Sequence, residues 1–449
     1  MGEQGLVGGE VPLTPIQRWF FEKELPQAHH FNQAVLLEAK EGVEAERLEE
    51  ALRALVEHHD ALRMRYVRGG SGWTQHNAGI GHGSLLQRLD LSPLAKDEDA
   101  QREAMSAAAK EFQSGLQLDE GLLLRALWME RGAGRTSRLL LVVHHLVVDG
   151  VSWRVLLEDL GTAYAQRRED RAVELPAKTT SFQAWARKLE AYARGPELEK
   201  EAAWWLAQPD EVPGLPVDTA GENSVASARG VVAGLDAEET RVLLQEVPGA
   251  YRATVNEVLV GALARVLTQW TGHSRVRVDV EGHGREELFA DADVTRTVGW
   301  FTSLYPVVLE VPEGTPGDAL RAVRDTLRQV PGKGVGYGLL RYQGPASVVA
   351  KLKDATKAEV AFNYLGQFDA LATGAGGFSL AKESSGPAMG EGGQRGHVLE
   401  VNGLVVGGRL EVTWTYSEAL HTRATVEVLA RAYTQALRAL VAGRQSEDA

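Results

Sequence analysis

His144-His145-Leu146-Val147-Val148-Asp149-Gly150-Val151-Ser152-Trp153 is the stretch on which the reading of this chain turns. Just before it, residues 137–143 are a short apolar run following the turn-forming Gly132 to Gly134, the pattern of a buried strand. Just after it the period changes. Trp153, Leu156, Leu157, Leu160 and Tyr164 recur at helical spacing and share one broad face. The ten residues therefore occupy a strand-to-helix junction. Successive strand residues point to opposite faces, so only one of the two histidines projects into a given cleft. Taken alone, the doublet reads equally well as two hydrogen-bonded core residues. A metal site is disfavoured, because no HExxH-type helical pair or nearby carboxylate cluster completes a coordination shell. The doublets His29-His30 and His58-His59 lack the Asp-Gly turn and helix start, and are assigned to surface or packing roles.

Working outward, Thr14-Pro15-Ile16-Gln17 supplies an N-cap, a proline at the first helical position and a glutamine at the third. Leu48, Leu52, Leu55 and Val56 fall on one face of a helix ending near His59. Residues 208–230 are Pro/Gly/Ser-rich and aperiodic, which makes them the link between two lobes, 1–215 and 225–449. Thr254 and Glu257 form a capping box for a helix with Val255, Leu259, Leu263, Val266 and Trp270 on its apolar side. In residues 275–281, Val276, Val278 and Val280 alternate with Arg277, Asp279 and Glu281, so Glu281 ends a strand on its polar face. Spacing alone reads it as a solvated carboxylate. Residues 360–365 and 398–416 read as strands, the latter turning at Gly407-Gly408, and 426–441 as the last helix. Residues 370–396 are Gly/Ser-rich, fitting a mobile flap or plain disorder. Both halves mix strands and helices, so the class is α/β or α+β.

At 449 residues the chain exceeds the roughly 250–300 at which a single core stops growing. A net charge of -13 argues against nucleic-acid binding, which needs clustered Lys and Arg to neutralise phosphates. The absence of cysteine excludes disulfides, thiolate zinc sites and a cysteine nucleophile. No apolar run approaches the roughly 20 residues that cross a bilayer, and MGEQGLVGGE lacks the features of a secretory signal. The expectation is a cytoplasmic protein with no membrane or nucleic-acid partner, and its beginning suggests a domain excised from a larger chain. Residues 332–338 have neither the Lys-Ser/Thr ending of a phosphate loop nor a clear strand before them. Trp153 and Trp300 read as core.

The segment from His144 through Asp149-Gly150 resembles the core motif of the condensation-domain superfamily of nonribosomal peptide synthetases, and Val151-Ser152-Trp153 looks like its epimerization branch. Further resemblances follow in order. They are Pro15 to Phe20, Glu281-Gly282-His283-Gly284-Arg285-Glu286, Arg296 to Ser303, Pro331 to Tyr342, and Phe362 to Asp369. The resemblance implies two chloramphenicol-acetyltransferase-like lobes in a V with the active site in a tunnel between them. It implies His145 and Glu281 as catalytic residues, with His144, Asp149, Gly150, Ser152, Arg285, Asn363 and Tyr364 in support. Arg285 is the implied ion-pair partner of Asp149. Asn363 and Tyr364 are the implied tunnel lining, although residues of a half-buried strand would read the same.

The implied activity is inversion of the α-carbon of an aminoacyl or peptidyl thioester, from L to D, through an enolate. The substrate would arrive on the phosphopantetheine arm of a peptidyl carrier domain in a neighbouring part of the synthetase, in the manner of antibiotic biosynthesis. Two proton-handling groups serve the two faces: His145 titrates near neutrality, and Glu281 needs desolvation to raise its pKa. The helix following Gly150 presents its N-terminus, which favours negative charge. No metal or directly bound organic cofactor is required. The rivals are a condensation domain forming a peptide bond and a catalytically inactive docking platform. Glu281 argues against the first, and the intact pair against the second.

Overall fold

In the computed structural model, residues 2–121, 123–368 and 377–447 are described; Asp369 and residues 370–376 of the Gly/Ser-rich stretch lie outside them. The described residues form two compact units. The first takes residues up to 191, 285–301 and 377–391, and the second takes 192–284, 302–368 and 392–447. Among the described residues no helix is long and apolar enough to cross a membrane.

A five-stranded sheet organises the first unit, in the order Phe378–Leu380, Asn32–Ala39, Arg138–His144, Leu124–Glu130, Leu86–Asp90. Arg138–His144 is central and antiparallel to both neighbours, and all of its residues are buried. Covered on both faces, such a strand reads as a continuous rather than alternating apolar run. The chain then makes one 3-10 turn, His145–Val147, and enters the helix Gly150–Arg168. That helix buries Trp153, Leu156, Leu157, Leu160 and Tyr164, each side chain contributing about 1.5–3 kcal/mol by burial. It lies against the helix Ala45–His58. His59 joins the two: its Nε2 is 2.8 Å from Asp159 Oδ2, while Arg296 Nη2 donates to Asp159 Oδ1 at 2.7 Å. A smaller three-stranded sheet is built from Gly9–Val11, Gly72–Asn77 and Met64–Gly69. The predicted N-terminal helix is Pro15–Glu22, with Gln17 Oε1 accepting from the Thr14 N–H at 3.0 Å.

The Gly/Ser-rich stretch, read as a mobile flap or plain disorder, is over residues 377–391 an ordered part of this unit. Phe378–Leu380 extends the sheet edge beside Asn32–Ala39. Arg138 donates to both carboxylate oxygens of Glu383, at 3.0 and 2.9 Å. Gln113 Nε2 donates to the Ser385 carbonyl at 2.9 Å, and His30 Nε2 to the Pro387 carbonyl at 2.7 Å. Backbone pairing and partners distant in sequence hold this segment, and neither leaves a periodic signature.

The second unit is built on a six-stranded mixed sheet: Ser303–Glu310, Arg275–Gly282, Val360–Gln367, Leu399–Val406, Arg409–Ser417, Ala228–Gly234. Its hairpin turns at Gly407 and Gly408, whose φ values of 57° and 71° suit glycine. Residues 228–230, expected in the link, belong instead to the edge strand Ala228–Gly234. Arg275 stays exposed, but at Arg277 and Asp279 the polar face of Arg275–Gly282 is covered by chain. Arg277 Nη2 donates to the carbonyls of Pro209 and Asp210 at 2.7 and 3.1 Å, and His397 Nε2 lies 2.6 Å from Asp279 Oδ2. The Gly-rich stretch serves packing. Gly334 has a φ of 86°, and a Cβ there would sit 2.1 Å from the Tyr305 ring.

Candidate active site

The strand Arg138–His144 and the helix Gly150–Arg168 bracket the histidines and place them in different hydrogen-bonding surroundings. His144 is fully buried, with Nε2 donating to the Ala28 carbonyl at 2.7 Å and Nδ1 accepting from the Leu146 N–H at 3.1 Å. Both nitrogens are thus spent on main chain. Burial pushes its pKa from 6.5 down to about 3, with the Ala28 carbonyl opposing and His145 adding a smaller depression. In the unfolded chain this imidazole takes up a proton as pH falls through about 6.5, and in the folded chain only near about 3. The folded state therefore loses stability on acidification across that window, by about 2 kcal/mol between neutrality and pH 5. Urea unfolding at pH 7.5 and 5 is expected to show this decline. A folded His144→Asn chain should decline less steeply, and an equal slope would assign the effect to another group.

His145 is half-buried. Its backbone N–H donates to the Phe31 carbonyl at 2.9 Å, and its Nδ1 lies 2.8 Å from the Val148 carbonyl. A carbonyl only accepts, so Nδ1 carries the proton and Nε2 keeps its lone pair. Burial lowers the pKa below 6.5, with the Val148 carbonyl and Asp149 opposing, so the ring is neutral at neutral pH. It stacks on Trp300, with ring centroids 4.1 Å apart and planes 29° from parallel, and on Phe31 at 5.5 Å and 13°. Trp300 is buried, as a core residue would be, but one face of it walls the imidazole. Gln33 Nε2 lies 3.4 Å from His145 Nε2, and Trp153 Nε1 donates to Gln33 Oε1 at 2.9 Å. Phe31 and Gln33 had no place in the sequence reading. The one available signal was the polar pair Asn32-Gln33 standing just before the apolar run from Ala34 to Leu37.

Asp149 caps the helix. Its Oδ1 accepts from the Ser152 N–H at 2.8 Å and from the Ser152 hydroxyl at the same distance, and Oδ2 accepts from the Phe301 N–H at 3.2 Å. Arg285 Nη2 reaches Oδ1 and Oδ2 at 2.9 and 3.1 Å, with both side chains buried. The guanidinium also donates through Nη1 to the carbonyls of Val294 and Thr297, both at 2.7 Å, and lies 4.0 Å from the centroid of the Phe301 ring. Ser152 Oγ accepts from the Gly299 N–H at 3.0 Å. Asp149 and Ser152 of one motif are thereby tied to Arg285, Gly299 and Phe301 of two others in a single buried network. The helix N-terminus, expected to face developing negative charge, already has the Asp149 carboxylate as its cap. At Gly150 a Cβ would meet nothing within 4 Å, so packing does not account for that glycine.

Glu281, Asn363 and Tyr364 lie in the second unit, near the C-terminal ends of adjacent parallel strands. The register of Val360–Gln367 with Arg275–Gly282 ends at Phe362 beside Val280, and Asn363 and Glu281 are the residues that follow. Glu281 pairs in register with Leu304 on the other side. Tyr364 is half-buried, and burial raises its phenol pKa. Among the described residues, His58, His59 and Asp159 bring metal-type ligand atoms within 4.8 Å of one another. There Asp159 is already held by His59 and by the fixed charge of Arg296, which opposes a cation.

A family model described as "Condensation domain" matches residues 7–448. A linear gramicidin synthase chain from Brevibacillus parabrevis is 48% identical over 454 residues, covering 100% of this chain and 6% of that protein. Tyrocidine synthase 1 of the same organism is 36% identical, covering 98% of this chain and 41% of that protein. The chain thus spans less than half the length of either relative. The crystal structure of the epimerization domain from the third module of tyrocidine synthetase B superposes with a TM-score of 0.92 at 33% identity, covering 100% of this chain and 99% of that one. The X-domain from teicoplanin biosynthesis, at 20% identity and a TM-score of 0.76, shares the fold. Motif order, fold and similarity across the whole length agree: the chain belongs to the condensation-domain family.

Proposed function

We propose that this chain epimerises the α-carbon of an aminoacyl or peptidyl thioester presented on the phosphopantetheine arm of a peptidyl carrier domain. The observation that carries the reading is the state of His145, a half-buried neutral imidazole with Nδ1–H fixed and Nε2 basic. The likeness to an epimerization domain supports it. One base takes the α-proton as the C–H electron pair moves into the thioester carbonyl to give an enolate. A second group returns a proton to the opposite face. His145 Nε2 and Glu281 are the proposed pair. Proton transfer of this kind supplies roughly 10²–10⁴-fold. Buried Asp149 and Arg285 hold the histidine turn, and Asn363 and Tyr364 are the proposed neighbours of the α-carbon beside Glu281.

The test is deuterium uptake at the α-carbon of a carrier-loaded amino acid in heavy water, with chirality read on the released product. Incorporation with inversion is expected. Amide formation with an acceptor amine and no α-exchange would replace this reading with condensation. Glu281→Gln, given L- and D-loaded carriers separately, is expected to exchange one enantiomer without inverting it, with inversion slowed at least about 10²-fold. Unimpaired inversion from both would remove Glu281 from the chemistry.

A further inference from the structure

A base works only while its lone pair is free of a proton, and the residues around Nε2 of His145 bear on that directly. The Trp153 indole N–H is only a donor, so the atom of Gln33 that faces it at 2.9 Å must be the amide oxygen. The same amide then turns its NH2 toward His145, with its nitrogen 3.4 Å from Nε2. An N–H facing Nε2 favours a lone pair there and disfavours imidazolium, which would set two N–H groups against each other. On the far side of the ring the Val148 carbonyl requires Nδ1–H. Two fixed groups therefore select one tautomer of the neutral ring.

We propose that Gln33, oriented by Trp153, is a positioning residue that keeps Nε2 of His145 unprotonated and aimed as the base. This rests on the proposed epimerase reading for its purpose. Gln33 lies on the strand Asn32–Ala39 opposite Val143, so the backbone ladder sets its place beside the histidine turn. Trp153 is in the first turn of the helix Gly150–Arg168. Strand and helix thus jointly set the amide. The other groups touching the ring, Phe31 and Trp300, carry no charge. Of the titratable neighbours, Asp149 pulls His145 toward protonation but is itself paired with Arg285, and His144 is neutral.

The experiment uses the full chain with isotope-labelled histidine. Imidazole nitrogen signals are followed against pH, with a His145→Gln chain assigning the resonance. In the wild type, an Nδ1–H ring with bare Nε2 is expected at neutral pH. Gln33→Glu sets a carboxylate against Nε2 and is expected to raise the His145 midpoint by at least about one unit. The acidic limb of the activity profile should move up with it: one pH unit above the wild-type midpoint, where the wild type keeps roughly nine-tenths of its base form, about half or less is expected to remain. Trp153→Phe releases the amide to flip and is expected to shift the midpoint the same way by less; it also serves if Gln33→Glu does not fold. Unchanged nitrogen signals and midpoint in a folded variant would overturn the inference. Signals that respond while wild type shows no α-exchange would keep the positioning and overturn the epimerase reading. Exchange with unresponsive signals would do the reverse.

Discussion

His145→Ala is expected to fold and to lose at least about 10²-fold in epimerisation, equivalent to about 2.7 kcal/mol of transition-state stabilisation. The fold should survive because the side chain bonds to a main-chain carbonyl at Val148 and stacks on Trp300 without filling the deep core. The sheet register that sets the turn comes from Arg138–His144 and its neighbours. Activity should not survive, because alanine leaves no basic nitrogen where Nε2 stood. Turnover of a carrier-loaded substrate, compared with the urea midpoint of the same preparation, separates the two effects. A wild-type rate would remove His145 from the mechanism.

Asp149→Ala is expected to cost both stability and turnover. The carboxylate accepts from the Ser152 and Phe301 N–H groups and from Arg285, and both members of the ion pair are buried. Removing it takes this counter-charge from the guanidinium and strips the helix of its cap. Breaking a buried pair in this way costs about 3–5 kcal/mol, with about 1 kcal/mol attributable to the cap itself. Arg285 would keep its bonds to the Val294 and Thr297 carbonyls, which places the expected loss toward the lower end. Chemical denaturation of wild type, Asp149→Ala and Asp149→Asn gives the comparison. Lost turnover with unchanged stability would make Asp149 a participant in the chemistry rather than a brace.

Much of the fold was legible where local rules act alone. The run before His144, the period change at Trp153, the capping box at Thr254 and the Gly407-Gly408 turn each appear where their patterns place them. Residues 377–391 were not legible, because an edge strand of three residues and a bidentate Arg138–Glu383 contact depend on partners far along the chain. What covers the polar face of Arg275–Gly282 was not legible for a related reason. Alternation shows that Arg277 and Asp279 point away from the valines, but not that Pro209, Asp210 and His397 cover them.

The candidate site divides along the same line. By itself the sequence determined the family and the strand-to-helix junction, and its motifs in order named His144, His145, Asp149 and Arg285 as candidates. Only the tertiary structure decided which histidine keeps a ring nitrogen clear of the main chain, with Nε2 of His145 facing the Gln33 amide at 3.4 Å. His144 and His145 are adjacent and chemically identical, and they differ because Ala28 and Leu146 claim both nitrogens of one while Val148 claims Nδ1 of the other. The places of Gln33, Phe31 and Trp300 around the ring were decided there too, since sheet register and the return of residues 285–301 to the first unit bring them to His145. A tautomer is selected by the donors and acceptors facing each nitrogen, and here the local turn supplies Leu146 and Val148 while the fold brings Ala28 and Gln33 from more than a hundred residues away.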